Sequence, residues 1–141
     1  MICSSIREIY GFQFQGLGRS PMADPDAFES YEPGLWWADY FYQGQIQENT
    51  LLIPMDSRAV AGPTGVEDYV FYREGGWSWS IPYIAGMYAL AAQVKADITP
   101  ELFWSTALST GRTIELTHDG KQYSFGVILD PVALIQALQG M

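Results

Sequence analysis

One stretch constrains this chain more than any other: Gly75-Gly76-Trp77-Ser78-Trp79-Ser80-Ile81-Pro82-Tyr83-Ile84-Ala85-Gly86. Two glycines let the backbone turn sharply and approach a neighbour closely, and the alanine-rich residues beyond them read as a helix from about Ser78 to Val94. Pro82 suits the first turn of such a helix, where amides have no intrahelical acceptor. A serine delivered to a helix N-terminus in this way is presented as a hydrolase presents its nucleophile. The positive end of the helix favours developing negative charge, and the Ser78 N–H would form one half of an oxyanion hole. Serine is also an ordinary helix N-cap. Local chemistry alone therefore leaves open a plain soluble α/β domain in which Ser78 only starts a helix.

The rest of the chain divides near residue 50. Up to Ile46 it reads as loops laid over a core, with turns at Gly16-Leu17-Gly18-Arg19-Ser20-Pro21, Asp24-Pro25-Asp26 and Glu32-Pro33-Gly34, and with one short opening strand from Ile2 to Ser5. From Leu51 onward regular elements follow. Strands are expected at Leu51 to Met55 and Tyr69 to Arg73, and a hairpin joins Ile114-Glu115-Leu116 to Tyr123-Ser124-Phe125. Thr99 with Pro100, and Asp130 with Pro131, each read as an N-cap followed by a first-position proline, and Gly111 as the close of the intervening helix.

Charge narrows the partners. Sixteen acidic residues against 7 basic ones give a net charge of −9, which disfavours nucleic acid and anionic membrane surfaces, since both reward clustered Lys and Arg. Asp24, Asp26, Glu29 and Glu32 form the densest acidic cluster. They leave a structural calcium conceivable, but no hand-type loop supports one. No metal site or cofactor is expected. The lone Cys3, read as a buried strand residue, excludes an internal disulfide and a cysteine-based zinc site. No apolar run reaches about 18 residues, and the first residues lack the pattern of an export signal. As written the chain reads as cytoplasmic, which leaves the compartment of a longer parent protein open.

At Gly76, Ser78, Pro82, Ile84, Ala85 and Gly86 the sequence resembles the subtilisin-like serine proteases, whose nucleophile motif reads Gly-Thr-Ser-Met-Ala-x-Pro-His-Val-Ala-Gly. Trp77, Trp79, Ser80 and Tyr83 depart from it. The resemblance extends to Leu51-Leu52-Ile53-Pro54-Met55-Asp56-Ser57 upstream, and to Asp97 through Phe103 and Gly126 through Ala133 downstream. It implies an α/β fold, the C-terminal half of a parallel sheet flanked by helices, with Ser78 as the catalytic serine. It also implies that Glu74, Gly75 and Gly76 line the pocket for the substrate residue at the cleaved bond, where Glu74 would favour a basic side chain. The family's Asp, His and oxyanion Asn precede its serine, and this chain carries no match to them. Loss of one oxyanion donor alone costs about 2.7–4 kcal/mol, and a serine without a positioned base is a weak nucleophile.

The implied function is peptide-bond hydrolysis of a peptide or protein substrate, completed by a complementing N-terminal segment or a second chain. Such a partner would also cover the sheet edge that a half domain exposes. The alternative within the same fold is a catalytically inactive module that binds a peptide or partner. His118, the only histidine, falls in the turn Thr117-His118-Asp119-Gly120-Lys121 and reads as an exposed turn residue rather than a base. Asp56 reads as a local ion-pair partner of Arg58. The aromatics at Trp36-Trp37 and Tyr40-Phe41-Tyr42 read mainly as core, or else as a substrate-facing wall.

Overall fold

The structure is a computed structural model and describes residues 5–45 and 49–141. The expected strand from Ile2 to Ser5 and the placement of Cys3 therefore lie outside the described residues. The chain forms a mixed α/β fold around a five-stranded sheet whose three central strands run parallel. In chain order the elements are α1 (Ile6–Tyr10), β1 (Gln13–Arg19), β2 (Tyr31–Pro33), α2 (Ala38–Tyr42), β3 (Thr50–Pro54), β4 (Arg58–Ala61) and β5 (Tyr69–Tyr72). They continue with α3 (Trp77–Val94), α4 (Pro100–Thr110), β6 (Arg112–His118), β7 (Lys121–Ile128) and α5 (Pro131–Gln139). The main sheet has the order β2-β1-β3-β7-β6, with antiparallel strands at both edges, and β4 and β5 form a separate antiparallel hairpin. None of the described helices is long and apolar enough to cross a membrane.

Strand β3 is the axis of the sheet. Leu51, Leu52 and Ile53 are all buried, because both faces of the strand are covered, as is usual where parallel strands lie between helical layers. Leu51 and Ile53 join Phe14 and the apolar faces of α1, α3, α4 and α5 in one core. Leu52 joins Leu17, Trp37, Phe41, Phe125 and Ile128 in a second core on the opposite face.

The first half of the chain is more regular than its glycines and prolines suggest. Gly16-Leu17-Gly18, expected as a turn, lies within β1: Gly16 and Leu17 pair in parallel with β3, and Gly18 pairs antiparallel with β2. Its glycines answer a need for close approach rather than for turning. A Cβ on Gly16 would stand 2.6 Å from the Met55 Cβ, and one on Gly18 would stand 2.7 Å from the Pro33 carbonyl oxygen. The aromatic run splits: Trp37 and Phe41 are core, whereas Trp36 and Tyr40 are 43% and 59% exposed. Strand β4 pairs residue for residue with β5.

The later elements fall where the sequence places them, with one change of cause. Thr99 Oγ1 accepts the Leu102 N–H at 3.2 Å and Asp130 Oδ1 accepts the Ala133 N–H at 3.0 Å, each before a first-position proline. The β6–β7 hairpin turns through Asp119 and Gly120, both with positive φ, which suits the right-handed twist of the strands. Gly111 does follow α4, but with an extended backbone (φ −69°) rather than a left-handed cap. Glycine is required there because a Cβ would stand 2.7 Å from the Ile128 carbonyl oxygen.

Asp130 is buried and also bonds the Arg112 Nε at 2.7 Å, joining β6 to the start of α5. Burial by itself would raise its pKa, but the Ala133 amide and the Arg112 guanidinium outweigh it and hold the carboxyl below its ordinary 3.8. Such a group stabilises the fold fully above that ordinary value and loses the contribution as the pH falls through the lower folded value. Asp130→Ala is expected to cost about 1–2 kcal/mol near neutral pH. In urea melts the gap between wild type and variant should narrow as the pH is lowered below the ordinary carboxylate value of 3.8, and a gap that stays constant there would contradict this account.

Candidate functional site

The end of β3 and the start of α3 meet at one bend. Chain polarity carries the buried strand out at Pro54, and the next residues, Met55, Asp56 and Ser57, remain buried although they belong to no strand. Around them converge the Arg73-to-Gly76 loop and the first turn of α3. Ser57 N–H donates to the Arg73 carbonyl at 3.0 Å, and Ser80 Oγ, wholly buried, donates to the Pro54 carbonyl at 3.3 Å. Arg19 secures the far side of the bend, its guanidinium donating to the Ser57 carbonyl at 3.1 Å while Ser57 Oγ donates to the Arg19 carbonyl.

Ser78 is the second residue of the 18-residue α3 and is exposed. Its N–H belongs to the first turn, where no intrahelical acceptor exists. Among the described residues no hydrogen bond engages its hydroxyl. Pro82 lies further along than the sequence suggests: with the helix beginning at Trp77 it is the sixth residue, in the second turn. Its missing N–H is the donor that an unbroken helix would place on the carbonyl of Ser78, four residues earlier. Both hydrogen-bonding groups of the Ser78 backbone are thereby left without their regular helical partners.

The flanking residues divide by role. Glu74 is exposed, and Gly75 and Gly76 are half-buried. Gly76 is the N-cap of α3, with extended backbone (φ −159°, ψ 173°) and open space where a Cβ would point. Gly75 is packed tightly: a Cβ there would stand 2.3 Å from the Met55 carbonyl oxygen. Trp77 reaches toward β1, edge-on to Trp36 at 5.2 Å and tilted against Phe14 at 5.9 Å. Trp79 turns the other way and packs on Tyr72 of β5 at 5.0 Å. Ser78 thus emerges between two indoles that are each anchored to a different strand.

Beside Trp77 lies a cavity of about 510 Å³, with Phe12, Phe14, Trp36, Trp37, Tyr40 and Trp77 on its aromatic wall and Arg7, Glu8 and several glutamines on its polar side. The exposed Trp36 and Tyr40 therefore face a concave surface next to the Ser78 loop; the buried Trp37 borders the same cavity as well as the core, whereas Phe41 serves the core alone.

Two expectations about charged residues need correction or placement. Asp56 does not pair with Arg58. Its carboxylate accepts the Gly75 N–H at 2.7 Å and the Leu35 N–H at 2.9 Å, and the Arg58 guanidinium lies over the Tyr83 ring at 5.9 Å. The sequence signal for this role was weak, an acidic residue just past an apolar strand, and adjacency to Arg58 masked it. His118 sits at the hairpin tip of β6, stacked on Tyr42 at 3.8 Å and 3.6 Å from the Asp119 carboxylate. No bond or ring contact among the described residues joins it to Ser78. Of the acidic cluster, Asp24 closes its own turn by accepting the Asp26 N–H, and no group of three metal-ligating side chains assembles among the described residues.

His118→Ala is expected to cost at most about 1 kcal/mol, the value of one exposed ring stack, and to leave the reactivity of Ser78 unchanged. Gly75→Ala should cost about 1–3 kcal/mol, because the new Cβ must displace backbone. Chemical denaturation measures both, and a Gly75→Ala variant as stable as wild type would contradict the packing described. Comparison with protein-family models, curated proteins and solved structures gave no match to the chain, so the reading of this loop rests on its residues and their geometry.

Proposed function

We propose that the chain is the C-terminal part of a subtilisin-like serine endopeptidase domain, with Ser78 as its nucleophile. The observation that carries this reading is the exposed, unengaged Ser78 in the first turn of α3, entered through a glycine pair whose first member is fixed against the bend that follows β3. In that role the hydroxyl oxygen attacks the scissile carbonyl while its proton passes to a base. The carbonyl oxygen, as it gains charge, meets the Ser78 N–H at the positive end of an 18-residue helix. A histidine, an aspartate and an oxyanion asparagine come from sequence that complements this chain, either an N-terminal segment or a second polypeptide, because His118 is committed to the opposite edge of the sheet. Glu74, Gly75 and Gly76 border the position of the cleaved residue. Of these Glu74 supplies the one charged side chain and favours a basic substrate residue.

The aromatic cavity beside Trp77 supports the same reading, since an extended peptide gains affinity by laying apolar side chains against rings. It is equally what an inactive peptide-binding module of this fold requires, and one experiment separates the two. Protein immunoprecipitated from its source with an antibody to this chain is exposed to a fluorophosphonate probe. Labelling that is lost in Ser78→Ala identifies the nucleophile, and preferential cleavage of Arg-containing over Leu-containing peptides tests Glu74. Absence of labelling in the wild type, with peptide binding retained, would replace the protease with the binding module.

A further inference from the structure

We propose that Asp56 is the positioning residue of the Ser78 loop, an inference that relies on the hydrolase reading only for what that loop carries. Asp56 is 4% exposed, yet its carboxylate meets no guanidinium or ammonium group among the described residues. Both oxygens are used on backbone amides. Oδ1 takes the Gly75 N–H at 2.7 Å, immediately before the N-cap of α3, and Oδ2 takes the Leu35 N–H at 2.9 Å, in the turn that leads to α2.

These two loops carry the rings beside Ser78. The Leu35 turn continues into Trp36, whose ring meets Trp77 edge-on and whose Nε1 points at the Met55 sulfur at 3.1 Å. The Gly75 loop continues into Trp77 and Ser78. One carboxylate thus fixes the entry height of α3 and the wall of the neighbouring cavity together. Gly75 is confined from its other side by the Met55 carbonyl, so the amide is held between a steric stop and a charged acceptor. Aspartate suits this task because it offers only acceptors. Asparagine would direct its NH₂ group at one of the two N–H donors, and alanine would leave both amides unbonded.

The test uses the protein isolated from its source as wild type, Asp56→Asn and Asp130→Asn. The last variant removes a different buried carboxylate, at the start of α5, and controls for general loss of stability. In Asp56→Asn, the Gly75 amide should exchange with deuterium about tenfold faster, matching loss of a charge-assisted bond, while the amides of residues 84–94 keep their rates. Fluorophosphonate labelling of Ser78 should slow by a similar factor. Asp130→Asn should show neither selective change.

Unchanged exchange of the Gly75 amide in Asp56→Asn, or equal acceleration in Asp130→Asn, overturns the positioning role. Unlabelled Ser78 in the wild type overturns the hydrolase reading instead, and the exchange result still decides what Asp56 does. If Asp56→Asn does not fold, the wild-type protein decides alone. Protection of the Gly75 amide, whose acceptor is Asp56, supports the bond, and exchange at the free-chain rate overturns it.

Discussion

The structure depends on a buried strand that ends in a buried bend. Strand β3 lies between β1 and β7, contributes to both cores, and has no side facing water. A strand so placed cannot shift without disturbing both layers, because interiors packed to crystalline density transmit displacement. Its C-terminal continuation inherits that rigidity. Pro54, Met55, Asp56 and Ser57 are together contacted from several segments: Pro54 from Ser80, Met55 from Gly75 and Trp36, Asp56 from Gly75 and Leu35, and Ser57 from Arg19 and Arg73. The loop before α3 is thus built against the stiffest part of the molecule.

The elements legible in the sequence are those whose cause is local. A capping side chain followed by proline marks Thr99 and Asp130 as helix starts, and Asp119-Gly120 between alternating strands marks a hairpin, because neighbouring residues decide the conformation. Strand β1 was not legible for the converse reason. Gly16 and Gly18 carry the composition of a turn, but what they answer to is Met55 and Pro33, residues distant in sequence. The same holds for Gly111, which looks like a left-handed cap and is in fact a point of contact with β7.

The candidate site divides along the same line. That Ser78 begins a helix behind two glycines can be read directly, since turn, serine and helix are consecutive. The partner of Asp56 could not be read, because an aspartate two residues from an arginine suggests a local pair and nothing nearby signals that Leu35 and Gly75 will converge on it. Trp36 and Trp37 show how fine the distinction is: adjacent and identical, both border the cavity, but Trp37 is buried in the core while Trp36 is 43% exposed, since successive residues of a turn face different ways.

A comparison of three helix starts clarifies what is unusual at Ser78. Helices α4 and α5 close their own N-termini with a side-chain oxygen on a first-turn amide. Helix α3, the longest of the three, has Gly76 at that position and no side-chain cap, and its first turn contains no acidic residue. Its tether is displaced one residue outward, to the bond between Asp56 and Gly75. Capping from outside secures the chain without a side chain on the first-turn amides; the Trp79 N–H is taken by the Gly76 carbonyl at 2.8 Å, and the Ser78 N–H keeps its capacity for an incoming acceptor. A glycine at the cap position forgoes only a few tenths of a kcal/mol relative to a capping side chain, and the surrounding bonds to the bend offset that loss. On the hydrolase reading this arrangement has a direct use. A helix end that is rigidly held but electrostatically unsatisfied is organised in advance for negative charge that appears only as a substrate carbonyl is attacked.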